Sequence, residues 1–167
     1  MAVARLTKAD VDDFVAFRRK MLERAPWAFA ATPDDDVALD REFVVKQLAD
    51  PYNAVFLLRS AEDITGAVGI FRRESPKFAH RALLWGLFVE EAHRRRGVGR
   101  ALLVEAIALA RQWEGVEYID LGVSEASPEA HDLYLSAGFV AWGREPGATA
   151  FEGRRLDEIH MSFRLER

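Results

Sequence analysis

Between Gly97 and Trp113 the sequence carries a helix that is apolar around most of its circumference. Val98, Leu102, Ala106, Leu109 and Trp113 trace one stripe at helical spacing, and Leu103, Ile107 and Ala110 widen it. A helix with so broad an apolar face has to lie on something equally broad. Its neighbours supply that, because they follow a different period. Three strands precede it, from Asn53 to Arg59, Ile64 to Glu74 and His80 to Val89, the first two joined by the turn AEDITG. A strand from Val116 to Val123 follows, then a helix opened by Ser127-Pro128 and stopped by Gly138, then strands from Phe139 to Gly143 and from Ile159 to Leu165. Ahead of the hairpin stand a short strand, Val3 to Leu6, and two helices. The first is capped by Thr7 with Asp10 closing an acidic capping box; the second runs from about Val37 to Leu48. The predicted order is βααβββαβαββ, a mixed α/β sheet, mostly antiparallel, with helices on both faces.

Length and composition set bounds. At 167 residues, 1–167 reads as one domain. Lys and Arg total 23 against 27 Asp and Glu, a net charge of -4, which argues against a nucleic-acid binder. The absence of cysteine excludes disulfides and thiolate metal sites, and no metal is expected. The N-terminus has no basic and apolar leader, and the apolar stretch from Ala82 to Val89 is far short of the ~20 residues that span a bilayer. A cytoplasmic protein without a membrane partner is the expectation.

Against that acidic background, HRRRGVGRALL from His93 to Leu103 gathers four arginines and two glycines at the start of the buried helix. A helix N-terminus presents unpaired N–H groups and partial positive charge. Glycines let the backbone turn and let an anion approach. Together these suit a phosphate or pyrophosphate. The same residues also suit a solvated basic helix cap. No Walker Lys-Ser pair follows, and Leu102 stands where a dinucleotide fingerprint needs a third glycine. Gly86, inside a strand, marks a bulge or a close backbone approach.

LFVEEAHRRRGVGRALL resembles motif A of the GCN5-related N-acetyltransferases, with Arg94, Gly97 and Gly99 at that family's Arg/Gln-x-x-Gly-x-Gly/Ala positions. SPEAHDLYLSAGF resembles its second helix through Ala130, Leu133, Tyr134, Gly138 and Phe139, and LDEIHMSF resembles its last strand. The resemblance implies transfer of an acetyl group from acetyl-CoA to an amine of a small molecule or a peptide. It implies main-chain amides from Arg95 through Arg96, Gly97, Val98 and Gly99 to Arg100 on the pyrophosphate, and the strand end Leu87, Phe88 and Val89 along the pantetheine arm. Ser127 stands where the family often has asparagine and is implied only as a weak cofactor contact, since as an N-cap it is already explained. Tyr134 is implied as the acid that protonates the departing thiolate; by spacing alone, on one helical face with Ala130, Leu133 and Ala137, it reads as a core aromatic. The competing function is a non-catalytic acyl-CoA-binding module on the same fold.

No carboxylate lies between His80 and Val89, so the general base is open. His80 is a base or an ordinary strand-end histidine. Glu90 and Glu91 are expected beside the pyrophosphate, where a base has no use. For the acceptor, Trp27 and Phe29 with Asp34, Asp35 and Asp36 suit a cationic amine; the two aromatics suit a core edge equally, and the aspartates read first as a solvated acidic helix start. REPGATAFEGRR is expected to flank the amine. The assembly, monomer or homodimer, is left open by the residues.

Overall fold

The computed structural model describes residues 2–61 and 63–166. Its strands are β1 (Val3–Arg5), β2 (Asn53–Ser60), β3 (Asp63–Arg72), β4 (Arg81–Val89), β5 (Tyr118–Ser124), β6 (Val140–Phe151) and β7 (Arg154–Arg164); its helices are α1 (Val11–Arg24), α2 (Arg41–Gln47), α3 (Val98–Gln112) and α4 (Pro128–Ala137). They form one sheet in the order β1-β2-β3-β4-β5-β7-β6. Every neighbouring pair is antiparallel except β4 and β5, which are parallel because α3 crosses between them.

Alternation along β2 decides the layering. Ala54, Phe56 and Leu58 pack with α3, while Val55 and Leu57 pack with Phe14, Phe17 and Met21 of α1 on the opposite face. α3 is buried along Val98, Leu102, Leu103, Ala106, Ile107 and Ala110, as its wide stripe requires. α4 closes the same face through Tyr134, and α1 and α2 cover part of the other. The mixed, mostly antiparallel sheet with helices on both faces is therefore as the sequence predicts.

Two expectations change. The second helix is not continuous from Val37 to Leu48. Asp36 accepts from the Ala38 N–H at 3.1 Å to start a single turn, and Asp40 accepts from the Glu42 and Phe43 N–H groups at 2.9 and 3.3 Å to start α2. An aspartate that satisfies orphan amides belongs before a helix, so two of them four residues apart make two short helices. The strand expected to end at Gly143 runs instead to Phe151. Pro146 and Gly147 read as breakers, yet they occupy a bulge between Glu145 and Thr149 on the edge strand β6, where a missing N–H leaves no ladder bond unmade. REPGATAFEGRR is therefore a long hairpin, turned at Glu152-Gly153 with φ of 46° and 74°.

Arg81, Asp120 and Ser162 join β4, β5 and β7. Arg81 donates twice to Asp120, at 2.6 and 2.7 Å, and the Ser162 hydroxyl donates to it at 2.6 Å. Burial pushes the Asp120 carboxyl up, but those hydrogen bonds outweigh it and hold the group below its ordinary value. A carboxyl lowered on folding stabilises above its unfolded pKa and loses that contribution as pH falls through its folded one. Asp120→Asn is thus expected to lower stability at neutral pH, with the gap to the unmodified protein narrowing below about pH 4. Urea melts across that range measure it; a gap independent of pH would count against the clamp.

Candidate active site

β4 and β5 pair at three positions only: Arg81 with Tyr118, Ala82 with Ile119 and Leu83 with Asp120. Beyond them β4 stays with β3 up to Val89 opposite Gly66, and β5 stays with β7 up to Ser124 opposite Glu158. The parallel pair therefore forks toward its C-terminal ends. The flank of β4 that β5 has left can accept an added strand.

The cause of the fork lies in β4. Between Trp85 opposite Gly69 and Phe88 opposite Ala67, two residues, Gly86 and Leu87, face the single Val68. Gly86 has φ 63°, open to glycine at no steric cost. A side chain there would also meet the guanidinium of Arg18, whose Nη1 lies 2.8 Å from where a Cβ would stand. The bulge turns Phe88 to the α1 face, edge-on to Phe17 at 5.8 Å, and leaves Leu87 and Val89 against the α3 side.

At the open end stand the N-termini of α3 and α4. Arg95 (φ 56°) and Gly97 (φ 80°) turn the chain into α3. The Gly97 carbonyl accepts the Ala101 N–H at 2.9 Å, so the amides of Val98, Gly99 and Arg100 lie ahead of the helical ladder. Arg95, Arg96, Gly97 and Arg100 are exposed. Arg94 is different. Its Nε donates to the Val89 carbonyl at 3.0 Å and its guanidinium sits over Phe88, so it staples the loop to β4. Val98 is buried, a core residue that offers the turn its backbone rather than its side chain. Gly99 has a packing duty as well: a Cβ there would stand 2.7 Å from Leu133 of α4. Bulk at 99 therefore separates α3 from α4 rather than only hindering an anion.

Ser127 makes no side-chain cap bond at the start of α4, contrary to the expectation that capping explains it; its carbonyl accepts the His131 N–H at 3.1 Å and its hydroxyl is left over. Tyr134 is 6 % exposed, with its ring edge-on to Phe139 at 5.7 Å. Burial pushes its phenol well above the ordinary value, so it is neutral at physiological pH.

The other carboxylates and histidines fall elsewhere. His80 precedes the paired end of β4 and packs edge-on to Tyr118, about 20 Å from Gly86 at the rise of a strand. It is a strand-end histidine. The Glu90 carboxylate turns away from the α3 loop to Lys20 (2.5 Å) and Arg24 (2.8 Å) of α1. Asp35 closes its own turn on Thr32, and Asp36 pairs with Arg18. Phe29 packs on Phe88, while Trp27 meets Phe151 of the long hairpin at 6.4 Å.

Sequence reasoning missed Arg18, held between Phe29 and Trp85 and paired with Asp36 at 2.5 Å with both side chains below a tenth exposed. Its signal was an arginine on the Phe14–Phe17–Met21 face. It lines, with Asp36 and Trp85, a cavity of about 430 Å³ between α1, α2 and the sheet. Also missed were Glu145, Glu158 and His160, which meet beside Gly122; their signal was polar residues alternating with the core positions Ile159 and Met161. Among the described residues no helix is long and apolar enough to cross a membrane.

The profile of the Acetyltransferase (GNAT) family matches residues 15–139. The chain is 33 % identical over 163 residues to the uncharacterized protein ML0378 of Mycobacterium leprae, covering 93 % of this chain but only 40 % of that protein. It is 34 % identical over 117 residues to the N-alpha-acetyltransferase RimI of Mycobacterium tuberculosis, covering 66 % of this chain and 70 % of the relative. The structure of yncA from Salmonella typhimurium, a putative acetyltransferase with its cofactor acetyl-CoA, superposes with a TM-score of 0.83 at 23 % identity over 100 % of this chain and 95 % of that one.

Proposed function

Because this chain belongs to the acetyltransferase (GNAT) family, we propose that it moves an acetyl group from acetyl-CoA to a primary amine of a small molecule or peptide. The observation that carries the reading is the fork between β4 and β5, which opens onto the free amides at the start of α3. In it, the amides from Arg95 to Arg100 hold the pyrophosphate, with Arg95, Arg96 and Arg100 adding charge. The pantetheine arm lies as an added strand along Leu87 to Val89, where the bulge at Gly86 frees the β4 edge. Ser127, uncapped, lends its hydroxyl to the same end.

Coenzyme A then holds the thioester at the bulge. The neutral amine attacks the carbonyl carbon, the carbon–sulfur bond breaks, Tyr134 gives the leaving sulfur its proton, and the proton shed by the acylated nitrogen restores Tyr134. Aligning amine and thioester is itself a large part of the acceleration. Coenzyme A release from acetyl-CoA in the presence of an amine panel tests the reading. Tight coenzyme A binding without turnover of any amine would leave an acyl-CoA-binding module in its place.

The arginines give a second check. Coenzyme A affinity is expected to weaken as salt rises, and Arg95→Gln with Arg96→Gln to flatten that dependence. Calorimetry at several ionic strengths measures both. A salt-insensitive affinity in the unmodified protein would make the cluster a solvated helix cap.

A further inference from the structure

We propose that Glu158 is the residue that takes the proton from the acceptor ammonium, an inference that rests on the acetyl-transfer reading above. Continuing the β4–β5 register two residues past Leu83 and Asp120 brings Gly122 level with Trp85, next to the bulge and across the fork from it. Asp120, Gly122 and Ser124 point to the face opposite α3, since Ile119, Leu121 and Val123 fill the α3 side. On that face Gly122 is exposed and has no side chain, and the space is filled from β7. A Cβ on Gly122 would collide with the Glu158 Oε1. A carboxylate is thereby brought to the β5 flank of the fork, although neither β4 nor β5 supplies one there.

Glu158 is suited to the work. Its side chain is 30 % exposed, so an incoming amine reaches it. His160 Nδ1 is 3.8 Å from it, a gap that a water can bridge, and His160 Nε2 is 2.9 Å from Glu145, which is open to solvent, so the proton leaves Glu158 for water on this side. Trp142 stacks on His160 at 5.4 Å, and Trp27 with Phe151 forms an aromatic wall nearby, beside which the Pro26–Ala28 turn touches β5. Carboxylates among aromatic faces fit a cationic amine that carries apolar bulk. In the step, a proton leaves the ammonium nitrogen for a Glu158 oxygen. The freed lone pair forms the nitrogen–carbon bond at the thioester carbonyl, the sulfur departs with the carbon–sulfur electron pair and takes the Tyr134 proton, and the second proton of the acylated nitrogen returns to the Tyr134 oxygen, so that the first proton, on Glu158, is the one released to solvent.

The test uses two acceptor probes and the full chain. Phenethylamine is an ammonium at neutral pH and needs a base; phenylhydrazine is already neutral and does not. Glu158→Gln is expected to lower kcat/KM for phenethylamine by about 10²-fold, to leave phenylhydrazine nearly unaffected, and to leave coenzyme A affinity by calorimetry unchanged. Returning a carboxylate from the β5 side, into the space opened by truncation, as Glu158→Ala with Gly122→Asp, recovers much of the loss. Retained phenethylamine turnover in Glu158→Gln, or an equal loss with both probes, overturns the proposal. So does chelator-sensitive turnover restored by zinc, which would assign the Glu145, Glu158 and His160 atoms, all within 4.8 Å of one another, to a cation. Failure of the unmodified protein with every amine would instead remove the acetyl-transfer reading, and this proposal with it.

Discussion

Tyr134→Phe is expected to lower kcat for amine acetylation by about 10²–10⁴-fold, with coenzyme A affinity and melting temperature nearly unchanged. The two halves of the side chain do different work. The ring is in the core cluster of the α3 face and edge-on to Phe139, and phenylalanine keeps that contact. The hydroxyl alone can serve as an acid. Burial raises its pKa, which makes it a weaker acid but keeps it protonated, so the donor is present in every molecule at neutral pH. For the same reason kcat should show no alkaline fall from Tyr134 below about pH 10, the ordinary phenol value. Tyr134→Ala separates the roles further, because truncating a buried aromatic costs about 3–5 kcal/mol. Full turnover by the Phe variant, alongside a large loss of stability in the Ala variant, would make Tyr134 a core residue and hand the thiolate's proton to solvent.

The second large effect concerns stability. Arg18→Met should destabilise the protein by about 3–5 kcal/mol, the cost of leaving a buried charge without its partner. Arg18 and Asp36 are 7 % and 6 % exposed, so Asp36 would be stranded away from water. The contrast is Arg41 with Asp12, at 2.8 Å but 59 % and 77 % exposed. An exposed pair contributes about 0–1 kcal/mol, so Arg41→Met should barely move a urea melt. The flanking rings of Phe29 and Trp85 add only about 0.5–2 kcal/mol, so the orphaned carboxylate accounts for most of the loss. Removing both charges while keeping the Asp36 cap on the Ala38 N–H, as Arg18→Met with Asp36→Asn, should therefore recover most of it. If the double variant is as unstable as the single, packing of the guanidinium rather than its charge is what matters. Since Arg18 also lies against Gly86, the single variant should loosen the bulge and weaken acetyl-CoA turnover in whatever fraction stays folded.

The order of strands and helices was legible because each element carries its own period and its own stop. The broad stripe of α3 demanded a sheet beneath it, Ser127-Pro128 and Gly138 bounded α4, and the basic turn stood where a helix had to begin. Those signals are local: they depend on residues three or four apart, or on alternate ones. Asp36 and Asp40 split the second helix because a side chain can cap backbone as well as cover it, and Pro146 and Gly147 were absorbed because β6 is an edge.

The chemistry-bearing contacts obey no local rule. Gly86 announced an irregularity, but its effect depends on distant strands: past the bulge β3 holds one side of β4 while β7 holds one side of β5. Arg18 reaches Asp36 across the α1–α2 connection, and Glu158 reaches Gly122 across the β5–β7 ladder. Such pairs are set by strand register and by which face a bulge leaves outward. The chain's pattern therefore determined the layers and the basic turn that opens α3, and tertiary structure alone decided which carboxylate stands at the mouth of the fork.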